Sequence, residues 1–74
     1  MTNTENTVRS MTKSELAKLY LPDHTNHSAV NTLVYWIAYN RPLTEALQNT
    51  GYRKTQKLLT AKQVELIYEY LGEP

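Results

Sequence analysis

Two stretches of this chain repeat apolar residues at the i, i+3, i+4, i+7 spacing of an amphipathic helix. The first stretch consists of Val30, Leu33, Val34 and Ile37, and the second consists of Val64, Ile67, Tyr68 and Leu71. This spacing places four side chains on one face of a helix, so we predict helices from about Ser28 to Asn40 and from Ala61 to Leu71. On the first helix, Ala29 and Trp36 should flank the buried face.

Capping and breaking residues predict two shorter helices. The sequence Thr12-Lys13-Ser14-Glu15 has the form of a capping box. It should start a helix at Lys13 that ends near Tyr20, because Pro22 opposes its continuation. Leu16, Leu19 and Tyr20 would face the core of the protein. The segment Thr60 to Gln63 repeats the capping-box pattern before the last helix.

The third helix should follow the break at Asn40-Arg41-Pro42. Proline is well tolerated in the first turn of a helix, so Pro42 fits its start. Leu43, Ala46 and Leu47 would then point inward. Gly51 should end this helix, in a position that commonly requires a left-handed backbone.

The length of the chain limits it to one domain. With 74 residues and no cysteine, it has no disulfides or thiolate metal sites, and packing must stabilise the fold. We therefore predict an all-α protein, a compact orthogonal bundle of four short helices over residues 11–74, preceded by a flexible tail at 1–10 that is rich in Thr and Asn. The chain shows neither a membrane-spanning run nor a signal peptide at its start, so we expect a cytoplasmic protein.

Charge is concentrated in one connector. The segment Gly51 to Thr60, here called the basic connector, carries Arg53, Lys54 and Lys57 without an acid, and Lys62 follows it. The net charge of the whole chain is only +1, so any argument for nucleic acid rests on this distribution. These cations fit phosphate contacts, but they also fit an ordinary solvated loop.

Several motifs resemble one known family. They are the segment Glu15 to Pro22 (ELAKLYLP), the Trp36-Ile37 pair, the segment Leu43 to Leu47, Gly51-Tyr52, and the closing segment Thr60 to Pro74. Together these motifs, over about residues 13–74, resemble the small Bacteroides proteins classed as domain of unknown function family 4248. The resemblance implies a compact helical domain. It assigns no catalytic or binding residues, because the family is uncharacterised.

A looser likeness is to helix-turn-helix proteins, in which a helix that begins with Glu-Leu-Ala supports a recognition helix. The second helix would then face DNA, although it contains no Lys or Arg. The residues predicted to contact DNA are three polar or aromatic residues of this helix and five cations that would hold phosphates: Asn31, Thr32, Tyr35, Arg41, Arg53, Lys54, Lys57 and Lys62.

A different interpretation uses aromatic residues. Tyr35, Tyr39 and Tyr70 lie off the apolar faces and, with Trp36, are predicted to form a surface patch on the second and last helices. Such a patch favours a protein partner or a homodimer, because Tyr and Trp are enriched at interfaces. The sequence thus leaves two functions open, a DNA-binding or regulatory module and a protein-interaction module.

Catalysis has little support in the sequence. Cysteine is absent, a glycine-rich phosphate loop is not found, and both histidines lie in one loop. Asp23, His24 and His27 are too few ligands for a typical metal site and are read as loop or capping residues. We therefore expect a protein that is not an enzyme, with no cofactor, metal or small-molecule substrate.

Overall fold

The computed structural model describes residues 8–74, which form four helices and one short pair of strands. In chain order the elements are β1 (Met11–Thr12), α1 (Lys13–Tyr20), α2 (Asn26–Tyr39), α3 (Arg41–Gln48), β2 (Leu58–Leu59) and α4 (Ala61–Leu71). The predicted four-helix fold is confirmed. Of the predicted flexible tail, residues 1–7 lie outside the described part, and residues 8–10 are exposed and belong to no helix or strand.

The helix starts follow from side-chain caps. Thr12 and Thr60 each accept a hydrogen bond from the backbone three residues on, and the partner side chains of Glu15 and Gln63 complete both predicted capping boxes. Thr25 caps α2, which therefore begins two residues earlier than the predicted Ser28. Asn40 ends α2 and caps α3 through its side chain, so one residue separates the two helices.

The core contains apolar side chains from every element. Its largest fully buried members are Met11, Leu16, Leu33, Leu43, Leu47, Leu59, Val64 and Ile67. The predicted buried faces of α2 and α1 are wrong in detail. On α2 the buried line is Ala29, Leu33 and Ile37, while Val30 and Val34 are only half-buried.

A similar shift of face occurs on α1. Leu19 was predicted to face inward but is 38% exposed, and Ala17 is buried in its place. On α3, Leu43 and Leu47 are buried as expected, whereas Ala46 is half-buried. The predicted faces of α1 and α2 are therefore rotated by about one residue, because packing with the neighbouring helices selects the centre of each apolar stripe.

β1 pairs with β2 in an antiparallel arrangement that was not predicted, in which Met11 opposes Leu59 and Thr12 opposes Leu58. Successive side chains of a strand point to opposite faces. Accordingly Leu59 is fully buried while its neighbour Leu58 is 59% exposed. The pairing fixes the end of the basic connector against the start of α1.

The left-handed backbone predicted at Gly51 is confirmed, but this glycine does not end α3, whose C-cap is Asn49. Gly51 and Gly72 have φ angles of +83° and +90°, a region that other residues rarely adopt. Gly51 lies three residues beyond the end of α3 and begins the basic connector, and Gly72 follows α4 directly.

Within residues 8–74, no helix is both long enough and apolar enough to cross a membrane.

Candidate nucleic-acid interface

The basic connector is held on one side by two glutamines. The backbone N–H of Arg53 donates to Gln56 Oε1 at 2.9 Å, and Gln56 Nε2 donates to Gln63 Oε1 at 2.7 Å. Gln63, which is 2% exposed, donates in turn to Thr50 Oγ1 at 2.9 Å. The same Gln63 completes the capping box of α4, so one buried side chain joins the connector, the end of α3 and the start of α4.

Lys13 holds the connector on its other side. Its backbone N–H donates to the carbonyl of Lys57 at 2.8 Å, and its ammonium donates to the carbonyl of Lys54. The ammonium nitrogen also lies 5.0 Å from the centre of the Tyr52 ring, a cation–π distance. Lys13 is only 6% exposed, and this burial lowers its pKa.

Neither Lys13 nor Gln56 was among the predicted site residues. A signal for Lys13 is present in the sequence, because Lys13, Leu16, Ala17 and Tyr20 share the i, i+3, i+4, i+7 spacing of the inner face of α1. A lysine at such a position must be buried along its stem and must find polar partners for its ammonium.

A cavity of about 580 Å³ lies between α1, α2 and the connector. This connector cavity is lined by Thr12 to Ser14 at the start of α1, by Val30, Asn31 and Val34 of α2, and by Lys54 to Lys57 of the connector. It therefore brings together three of the predicted DNA contacts, Asn31, Lys54 and Lys57. A second hollow of about 210 Å³, between α2, α3 and Tyr52, shares Val34 and Lys54 with it.

The other predicted contacts lie outside the connector cavity. Tyr35 is 60% exposed on α2, and Arg53 is exposed on the connector. Thr32 is half-buried. Arg41 lines a different pocket of about 440 Å³ at the junction of α2 and α3. Lys62 is exposed and lies 3.5 Å from Glu65, so its charge is partly balanced.

Comparison with known proteins identifies a family. The profile of the family described as domain of unknown function (DUF4248) matches residues 7–74. The chain belongs to this family. No curated protein and no solved structure matches it. The resemblance to this family that the motifs of residues 13–74 carry is thus confirmed, and the family description assigns no function.

In this DUF4248 domain the outer face of α2 carries an aromatic pair. The rings of Tyr35 and Tyr39 meet edge to face with centres 4.7 Å apart, and the Tyr39 hydroxyl donates to that of Tyr35 at 3.0 Å. This hydrogen bond, with some desolvation, raises the pKa of Tyr39. Trp36, which is 37% exposed, lies beside the pair in the sequence and packs edge to face on Tyr20. The predicted exposure of Tyr35, Tyr39 and Tyr70 is confirmed.

The charges of the DUF4248 domain are separated along the chain. Between His24 and Val64 the only acid is Glu45, whereas α4 and the residues after it carry Glu65, Glu69 and Glu73. The surface formed by α2 and the connector is therefore poor in acids and suits an anionic partner.

The first turn of α2 provides a polar group beside this surface. Asn31 Nδ2 lies 3.2 Å from His27 Nε2, so the amide of Asn31 is oriented by the preceding turn of its own helix. Among residues 8–74, no group of three or more His, Cys, Asp or Glu side chains is placed to hold a metal ion.

Proposed function

We propose that this DUF4248 domain is a non-enzymatic, helix-turn-helix-like module that binds duplex DNA, with α1 as the supporting helix and α2 as the recognition helix. The observation that carries the proposal is that Asn31 of α2 and two connector lysines, Lys54 and Lys57, line one cavity. A base-reading amide thus lies beside cations that suit phosphate contacts, as the combination of specific and backbone contacts requires.

The fixed backbone of the connector supports this role. Arg53, Lys54 and Lys57 have exposed side chains, while the backbone beneath them is held by Gln56 and Lys13. A cation carried on an ordered backbone loses less conformational freedom when it binds than one on a mobile loop. The connector is therefore better suited to binding phosphates than its charge alone would indicate.

On α2, the exposed side chains define how bases would be read. An asparagine such as Asn31 pairs with adenine through two hydrogen bonds, and the ring of Tyr35 offers apolar contact to a thymine methyl group. Thr32 and Arg41 would add contacts at the edge of the interface. Lys62 contributes least, because Glu65 already balances it.

A fluorescence anisotropy titration with mixed-sequence duplex DNA tests the proposal. We expect binding that weakens steeply with salt, with a logarithmic slope of about −0.9 per phosphate contact. The variant K54Q/K57Q should make that slope shallower, by about 2 units at most, because up to two phosphate contacts are lost. The matched control R9Q/K18Q removes the same charge elsewhere and should retain the slope of the original protein. Equal loss in both variants, or no binding at low salt, would contradict the proposal.

A second candidate function, protein interaction through the aromatic face, has its own supporting observation. Tyr35 and Tyr39 are 60% and 73% exposed and meet edge to face, and exposed tyrosines of this kind are enriched at interfaces. The simplest partner is a second copy of the chain. Sedimentation analysis over a range of protein concentrations should then show a dimer that is insensitive to salt and is lost in Y35S/Y39S. A monomer at every concentration would exclude self-association.

A further inference from the structure

We propose that the connector cavity binds a small organic carboxylate with an apolar body, and that Lys13 is the residue that holds the carboxylate. This inference goes beyond DNA binding, because it concerns a ligand inside the groove and not a duplex laid across it. It rests on the size of the cavity, on its lining and on a buried cation that lacks a counter-ion.

The size and lining of the cavity suit a small ligand. Its volume of about 580 Å³ falls within the range of about 300–1,000 Å³ that is usual for small-molecule sites. Val30 and Val34 form one wall, and both are only half-buried although they lie on the apolar side of α2. The adjoining hollow of about 210 Å³ continues this wall to Ala38. An apolar ligand body would cover side chains that the core leaves uncovered.

The charge at one end of the cavity selects an anion. Lys13 is 6% exposed, and within residues 8–74 no carboxylate lies at ion-pair distance from its ammonium. A buried charge without a counter-ion is costly unless its hydrogen bonds are satisfied. Of the three N–H donors of this ammonium, one is used by the carbonyl of Lys54 and the Tyr52 ring faces the group. A carboxylate would accept a remaining donor and balance the charge.

The rim of the cavity reinforces this selection. Lys54 and Lys57 are exposed at its edge, and neither has an acidic partner among the residues that the structure describes. Inorganic phosphate would satisfy these cations but would leave the valine wall uncovered. A carboxylate with an aliphatic or aromatic body matches both features of the lining, which is why we infer this chemical class.

One consequence depends on the proposed DNA interface. The ligand would occupy the space between Asn31 and the two connector lysines, which are also the proposed DNA contacts. Ligand and DNA would therefore compete for the same space, and the carboxylate would act as a competitive inhibitor of DNA binding. The binding site itself does not depend on this consequence, so its test contains no DNA.

The test is an NMR titration of amide-labelled protein with octanoate, 3-phenylpropanoate and octan-1-ol, each at up to millimolar concentration. We expect saturable shifts at residues 12–14, 30–34 and 54–57 with both carboxylates. Octanoate should bind at least about tenfold more tightly than octan-1-ol, which has the same chain without the charge. Equal affinity for octanoate and the alcohol, shifts confined to other regions, or no saturable shifts with either carboxylate would overturn the proposal.

Two variants assign the role of Lys13. Lys13→Met keeps the apolar stem and should abolish the preference for octanoate over the alcohol, while Lys13→Arg should retain it. An unchanged preference in Lys13→Met would overturn the role of this lysine. Val34→Phe, which narrows the cavity and retains Lys13, should weaken the binding of both octanoate and octan-1-ol, and undiminished binding would place the ligand elsewhere. The comparison of octanoate with the alcohol in the unaltered protein remains decisive even if a variant fails to fold.

Discussion

The core and the basic connector are stabilised by opposite kinds of interaction. In the core, fully buried side chains such as Leu33 and Ile67 contribute through apolar burial. In the connector, individual polar groups of Lys13, Gln56 and Gln63 hold the backbone of residues 53–57, which contribute no side chain to the core. This small domain can carry an ordered, charged segment because two polar side chains, Lys13 and Gln63, are themselves buried.

The largest expected effect is a truncation in the core. Leu33→Ala should lower the free energy of unfolding by about 2–5 kcal/mol, because a fully buried leucine leaves a cavity. For a small domain this approaches the whole stability. Urea denaturation followed by circular dichroism measures it. The control Val34→Ala, at a half-buried position, should cost less than about 1.5 kcal/mol. Equal costs would mean that the cavity wall belongs to the core.

The next effect tests the polar side of the comparison. Gln63→Ala removes the return bond of a capping box and the bonds to Gln56 and Thr50. We expect a loss of about 1–3 kcal/mol in the free energy of unfolding, because polar groups are left unsatisfied. In the same helical turn, Lys62→Ala removes an exposed ion pair and should change stability by less than about 1 kcal/mol. If the two substitutions cost the same, the glutamine network is not a stabilising element.

A third change should separate global from local stability. Lys13→Met loses one hydrogen bond but also removes a buried charge without a counter-ion, so global stability should change by less than about 1 kcal/mol. Hydrogen exchange of the connector amides should nevertheless accelerate. The amide of Gln56, bonded to the carbonyl of Arg53, reports on the connector, and the amide of Val64 in α4 is the internal control. Unchanged exchange at Gln56 would show that Lys13 does not hold the connector.

The smallest expected effect appears only at alkaline pH. Burial raises the pKa values of Tyr20, Tyr52 and Tyr68, so the folded protein keeps protons that the unfolded chain releases near pH 10. Stability should therefore fall as the pH rises above about 10. The lowered pKa of Lys13 acts in the opposite direction, as stability from this group rises up to its ordinary value of 10.5.

Tyr52→Phe isolates one part of this decline. The ring that faces Lys13 is kept and the ionisable hydroxyl is removed, so stability at neutral pH should change by less than about 0.5 kcal/mol. The fall in stability above pH 10 should be shallower in the variant, as measured by urea denaturation at several pH values. An identical alkaline profile would show that Tyr52 ionises equally easily in the folded and unfolded protein.

The fold could be predicted largely from local patterns. Capping boxes at Thr12 and Thr60 and the apolar spacing of α4 are properties of short segments, and all are confirmed. The pairing of Met11 with Leu59 could not be predicted, because two-residue strands show no periodicity and their partners are distant in the chain. The face that α2 buries could not be predicted in detail either, because it depends on packing with helices that the local pattern does not specify.

The candidate site was only partly visible in the sequence. The charge of Arg53, Lys54 and Lys57 is evident, and so is the exposure of the tyrosines on α2. That Asn31 shares a cavity with Lys54 depends on how the connector crosses α2, which no short segment encodes. The burial of Lys13 runs against the usual exposure of lysine, and only its place on the inner face of α1 indicated it.

The strand pairing of Met11 and Thr12 with Leu58 and Leu59 bears on how the domain folds. Contacts between α1 and α2 join neighbouring segments and can form early, whereas this pairing must close a loop that contains most of the domain. We expect it to form after the transition state and to open first during unfolding. Mutations in the pairing should then speed unfolding and leave the folding rate nearly unchanged. The basic connector would be released in the same step. We therefore expect its folded conformation to have the shortest lifetime in the molecule.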